Sequence, residues 1–295
     1  MSFIYFAKVN INSEIYNIYN NPELADEILK NLFKSIGQDK RLKVEEKDRV
    51  WAKFINIEKD YDKQYITGRI VKIFEDDIET YDSEKDDVEP LLNKDLAKSV
   101  LFFFDLRAEL VAFTTAKQFG KKKVVEYFSK LINSYSTDVK FEVFLKQNLD
   151  EINEKIKIFK RVSKVEITLI PPNNNEDYFH DLFLKNSDEI KEIGATKIEQ
   201  TFSVSAKEGG VNIYSNFFKR VFDGISKGYG FVKITGKNIE DEPYTITSEE
   251  DAPQKDFIPE RQKNSISAIK ERGRAGIVKI QKLEQERKAK IKERE

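Results

Sequence analysis

From Val139 onward the chain alternates strand-like and helix-like segments with short connections, and this alternation restricts the fold more than any other feature. Apolar spacing predicts a strand over 139–145, a helix over 148–159 (Leu149, Ile152, Ile156, Phe159), and a strand over 162–170 that Pro171-Pro172 ends. A helix over about 175–192, a strand over 196–204, a helix over 213–226 and a strand over 229–235 follow. Strands separated by single amphipathic helices favour sheets covered by helices.

The first half carries the same ingredients less regularly. Residues 2–11 are aromatic and β-branched and predict a strand. Pro22 opens a helix with Leu24, Ile28, Leu32, Phe33 and Ile36 on one face and Gly37 as its stop. Strands are expected over 49–57 and 64–74, and Val100–Asp105 with Glu109–Thr114 predicts a hairpin. A helix is expected from Ala116 to Ser134. The fold class expected is α+β: two ferredoxin-like halves with mixed sheets covered by helices, plus a charged C-terminal helical tail. The domain limits expected are 1–146, 147–250 and 251–295.

Charge is unevenly spread. The net charge is −1, yet residues 261–295 hold 12 Lys/Arg against 5 Asp/Glu. Between Glu75 and Glu89, nine of fifteen residues are acidic, which predicts a solvated loop over 75–89. Gly273 and Gly276 interrupt the basic segment, so a mobile or partner-ordered tail is expected there. Its i,i+4 pairs Glu284–Lys288 and Glu286–Lys290 fit a solvated helix.

With no cysteine, disulfides, thiol nucleophiles and cysteine-ligated metals are excluded. No apolar run reaches transmembrane length and the N-terminus lacks a secretory pattern, so a cytoplasmic protein with no membrane contact is expected. The Lys, Asn and Ile usage suggests a bacterial source. No phosphate loop, dinucleotide fingerprint or nucleophile elbow occurs. Glu109, Glu142 and Glu166 lie on expected strands without metal-site spacing. No cofactor and no metal are expected.

The most specific motif is Lys227-Gly228-Tyr229-Gly230-Phe231-Val232-Lys233-Ile234. It resembles the strand signature of the RNA-recognition-motif family and departs from it at Ile234, where that pattern ends in an aromatic. The resemblance implies base stacking by Tyr229 and Phe231 and a phosphate contact by Lys227, with Lys233 on the same strand. A plainer alternative is that Gly228 ends helix 213–226 and the strand is ordinary. The order of elements, with glycines between Gly224 and Gly236, is also similar in architecture to the CRISPR-associated RNA-processing endoribonucleases.

The function expected is therefore binding of RNA or single-stranded nucleic acid without intrinsic catalysis, in a setting such as bacterial phage defence. Arg272, Arg274, Lys279, Lys282, Arg287 and Lys288 of the tail would add salt-dependent affinity. One alternative is a metal-independent endoribonuclease using His180, the only histidine, with Tyr178 and Lys185 as the nearest helpers. Another is a subunit of a larger assembly that meets a protein partner through the C-terminal tail.

Overall fold

The computed structural model describes residues 2–45, 49–173, 175–183, 186–205 and 209–292. In chain order they form β1 (Ser2–Ile11), α1 (Ile15–Asn20), α2 (Glu23–Ser35), β2 (Arg41–Glu45), β3 (Val50–Asp60), β4 (Tyr65–Asp82), β5 (Asp87–Asp105), β6 (Leu110–Phe113), α3 (Lys121–Tyr135) and β7 (Phe141–Leu145). Then come α4 (Leu149–Ile156), β8 (Phe159–Leu169), α5 (Glu176–Phe183), α6 (Ser187–Glu192), β9 (Ile198–Ser203), α7 (Asn216–Ser226), β10 (Gly230–Asn238), β11 (Pro243–Thr247), α8 (Ser248–Asp251), β12 (Lys255–Ile258) and α9 (Ile266–Lys292). The class is α+β, as expected, and among the described residues no helix is long and apolar enough to cross a membrane.

The larger sheet runs β12-β1-β6-β5-β4-β3-β2, with β7 following β12 along the same edge of β1. The apolar run Val100–Phe104 explains its layering, because a strand without polar alternation needs cover on both faces. Phe102 and Phe104 pack on Phe128 of α3, at ring-centroid distances of 5.6 and 5.7 Å. Leu101 and Phe103 point the other way, into a cluster with Ile4 and Phe6 of β1 and Ile269, Ile277 and Ile280 of α9.

The segment expected to be a mobile or partner-ordered helical tail is thus a 27-residue helix seated on the large sheet. Its glycines, which cost about 1 kcal/mol each in isolation, are what allow the contact. A Cβ on Gly276 would lie 2.2 Å from the Phe6 ring, and one on Gly273 would lie 3.0 Å from the Ala112 Cβ. Burial of each isoleucine stabilises the contact by ~1.5–3 kcal/mol, so packing overrides propensity. With β12 paired to β1, the last segment returns to the first half of the chain instead of standing apart.

The acidic stretch 75–89 also differs from the loop expected. β4 and β5 remain paired out to Asp82 and Asp87, so it forms the end of a long hairpin. Ladder hydrogen bonds join backbone groups, so charged side chains do not prevent the pairing.

The smaller sheet runs β11-β10-β8-β9 and is antiparallel between neighbours. Helices α4 and α7 cover one of its faces through Ile152, Ile156, Val221, Phe222 and Ile225. β9 and β10 flank β8, and α7 carries the chain across it, which makes one split β-α-β unit. In the larger sheet β6 and β7 flank β1 in the same way, and α3 carries the chain between them, a second split β-α-β unit. Between β8 and β9 the chain passes through α5 and α6 without a crossover.

Candidate functional site

Where the two sheets meet, the chain leaves a polar cavity of about 670 Å³. Five cationic side chains reach it (Lys8, Lys30, Arg107, Lys146 and Lys227), against three carboxylates (Asp26, Glu109 and Glu284). Each comes from a different local device.

Lys8 interrupts the apolar run of β1 on the side covered by α9. Its ammonium pairs with Glu109, which closes the turn between β5 and β6 with φ of 55° and is tied by its carbonyl to Val9 N at 2.8 Å. L residues other than Asn and Asp rarely take that backbone region. Lys146 follows β7 at the point where β12 takes over the edge of β1, its backbone N–H donating to Phe6 O at 2.8 Å and its carbonyl accepting from Gln254 N at 2.7 Å. The Lys146 side chain is 4% exposed and pairs with Glu284 of α9.

The third lysine is set by the end of α7. Gly228 N–H donates to Ile225 O and Tyr229 N–H to Gly224 O, the paired bonds of a Schellman ending, with Gly228 at φ of 88°. A Cβ there would lie 2.5 Å from the Lys8 Cβ, and Asn10 Nδ2 donates to Gly228 O at 3.0 Å, so the turn lies directly on β1. It aims Lys227 at Asp223, 2.5 Å away, and over the Tyr178 ring at 3.7 Å. The Tyr178 hydroxyl donates to the same carboxylate at 2.7 Å. Tyr229 lies beside Tyr178, with ring centroids 6.0 Å apart.

These groups act on one another. Burial pulls the Lys146 amine down to about 8; Glu284 opposes the shift, and the charges of Lys8 and Lys227 reinforce it. Burial works against the Lys8 ammonium too, but Glu109 more than offsets it, with Tyr229 adding to the effect, and this amine is held above the ordinary lysine value. Burial pushes the Tyr229 hydroxyl up to about 12 and raises Tyr178 as well, the latter assisted by Asp223. A cavity lined by mutually perturbed titratable groups is the setting in which functional residues concentrate.

A second, smaller depression of about 210 Å³ shares Arg107, Ala108 and Gln281 with the first and adds Lys63 and Arg274. A cationic track therefore leads out of the cavity along α9. Among the described residues no group of His, Cys, Asp and Glu is arranged to hold a metal ion. The chemistry available is that of amines, phenols and carboxylates, suited to binding anions and moving protons.

Of the residues singled out in the sequence, Glu109, Tyr178, Lys227 and Tyr229 line the cavity and Arg274 lines the track. Tyr229 is 9% exposed, so it offers no open surface for base stacking. The turn that buries it is the helix ending named as the plainer alternative. Phe231 leans on Phe144, 6.2 Å between centroids, and Lys233 lies beside Glu166 at 3.6 Å on the small sheet.

On α9, Arg272 donates to Phe257 O at 3.2 Å, Arg287 to Asp150 at 3.2 Å, and Lys279 and Lys282 face outward. The side chain of Lys288 lies outside the described residues, as does Lys185. Glu284, expected to pair with Lys288, is turned inward onto Lys146. His180 stands apart from the cavity lining, its Nδ1 2.7 Å from Ser187 Oγ. Tyr178, two residues earlier on α5, faces a different side of the helix, because i,i+2 positions do not share a face.

Lys8, Lys146 and Glu284 were not anticipated. The signal for the two lysines was present: Lys8 interrupts an apolar run in Phe6-Ala7-Lys8-Val9, and Lys146 directly follows one in Phe144-Leu145-Lys146. A lysine inside such a run is buried, and it then needs a partner.

A family model described as a domain of unknown function (DUF4747) matches residues 9–273, nearly the whole of both sheets and the first turns of α9. None of the curated proteins matches the chain.

Proposed function

We propose that this chain, which belongs to the DUF4747 family, binds single-stranded nucleic acid, RNA foremost, by drawing one end of the strand into the cavity between its sheets. The observation that carries the reading is the convergence of Lys8, Lys146 and Lys227 with Tyr178 and Tyr229 in a cavity that continues over Arg107 to Lys63 and Arg274. The lysines supply phosphate contacts, the sequence-independent source of affinity for a nucleic-acid strand. The outward track suits a ligand longer than one nucleotide. In this account the smaller half is a ferredoxin-like platform in its layering, and its glycine turn at Gly228–Gly230 builds the cavity wall instead of an open stacking face.

The test is fluorescence anisotropy of labelled single-stranded RNA, single-stranded DNA and duplex DNA at two salt concentrations. The reading predicts tighter binding of the single strands, weakening as salt rises because phosphate contacts release counterions. Absence of binding to all three would remove it.

A second reading has its own observation. On the outward side of α9, Val278 is 57% exposed and lines a shallow apolar groove with Ala275, Lys270 and Arg274, a surface on which a protein partner would dock. The endoribonuclease alternative would pass from His180 to the cavity amines, since the histidine has no place in the cavity lining.

A further inference from the structure

We infer that the cavity takes a phosphomonoester, and that the phosphate replaces Glu284 of α9 on the Lys146 ammonium. The inference rests on the cavity being the ligand site and adds which anion it accepts and what that anion displaces.

Lys146 is 4% exposed and stands close enough to Lys8 and Lys227 for their charges to act on it. A buried ammonium needs an anionic partner, and of the three carboxylates that answer these lysines Glu284 is the most easily withdrawn. Its side chain is 30% exposed, against 13% for Glu109 and 22% for Asp223. Glu109 is locked by the β5–β6 turn and Asp223 is held by Tyr178 as well as Lys227. Glu284 projects from α9 one turn beyond Ile280, the last apolar residue of that helix in the core beneath it. It can swing to water, whereas Lys146 cannot.

A phosphomonoester is the anion that fits. It carries roughly −1.5 to −2 charges near neutral pH and three acceptor oxygens, enough to bridge two or three ammonium groups, where a carboxylate brings a single charge and two oxygens. A diester has a single charge and must leave the pocket on two sides. The volume of about 670 Å³ lies within the range of small-ligand sites and leaves room for the nucleoside behind the phosphate. The exchange is one of ion pairs and involves no covalent step. A free nucleotide and the phosphorylated end of a strand share this chemistry, and the experiment separates them.

The full-length chain is titrated with adenosine 5′-monophosphate, with adenosine, and with one RNA decamer carrying either a 5′-phosphate or a 5′-hydroxyl. Lysine accessibility is read by reductive methylation and mass spectrometry. The phosphorylated member of each pair is expected to bind about tenfold more tightly, inorganic phosphate to compete, and Lys30, an exposed residue of the cavity lining, to be protected while Lys279 is not. Glu284→Gln removes the internal competitor and is expected to tighten phosphate binding about tenfold, the effect of one charge-assisted hydrogen bond.

Equal binding of both decamers without competition by phosphate would overturn the inference and leave strand binding standing. Binding of the mononucleotide without the decamer would sustain the phosphate site and overturn the nucleic-acid reading. Weaker phosphate binding by a folded Glu284→Gln protein would show that the carboxylate is not the displaced group.

Discussion

Gly276 of α9 lies against Phe6 of β1 so closely that a Cβ would fall 2.2 Å from the ring. Phe6 is 1% exposed and has no space to retreat into. Gly276→Ala should therefore destabilise the protein by about 1–3 kcal/mol through overpacking, although alanine is favoured over glycine in a helix by about 1 kcal/mol. Urea unfolding decides the sign. A stabilised variant would mean that the helix is not seated on this face.

Removal of residues 266–292 tests the same packing from the other side. Leu101, Phe103, Phe6 and Leu110 would lose their cover, and an apolar patch of that kind leads to self-association. Light scattering of the truncated chain should show aggregates, where a dispensable tail would leave a monodisperse protein.

Stability should carry the mark of Lys146. In the unfolded chain a lysine keeps its proton until about 10.5, whereas the folded amine releases it near 8. Between those values the unfolded state binds more protons, so stability rises with pH, and the burden of the buried charge is fully present below 8. Relative to Lys146→Met, the wild-type protein should gain on the order of 3 kcal/mol as pH rises from 7.5 to 10.5. Denaturant unfolding of both proteins at the two pH values measures this, and parallel pH profiles would place the amine in water.

The acid limb belongs in part to Glu45, where hydrogen bonds from Lys123 and Tyr127 hold the carboxyl down to about 2. A depressed carboxyl stabilises the fold above its ordinary value of 4.5, and that stabilisation is lost as pH falls toward 2. Glu45→Gln should cost about 1 kcal/mol at neutral pH and flatten the decline between pH 4.5 and 2, as followed by circular dichroism.

Much of the fold is legible in the sequence because local pattern decides it. β1, α2, α3, α4, α7 and β10 follow from apolar periodicity and from Pro22, Gly37 and Gly228. The place of α9 is not legible in its own residues, since two glycines and few apolar positions suggest weakness. The evidence for it lies elsewhere in the chain, in the unbroken run Val100–Phe104 that needs cover on both faces.

The candidate site divides in the same way. Lys227 and Tyr229 stand out through a local motif, but whether such a strand faces water or a neighbouring sheet is settled by contacts with Lys8 and Asn10, more than two hundred residues away in sequence. Lys146 and Glu284 are 138 residues apart and share no spacing that could announce them.

The central claim is that ligand enters the cavity and does not bind along the outward cations of α9. The measurement that tests it most directly is the affinity of a single-stranded RNA decamer for three folded proteins: wild type, Lys227→Met, and the Lys279→Ala/Lys282→Ala double variant. The account predicts a loss of about tenfold or more for Lys227→Met, equivalent to about 1.4 kcal/mol, and near wild-type affinity for the double variant. The reverse order would contradict it and move the ligand to the helix surface.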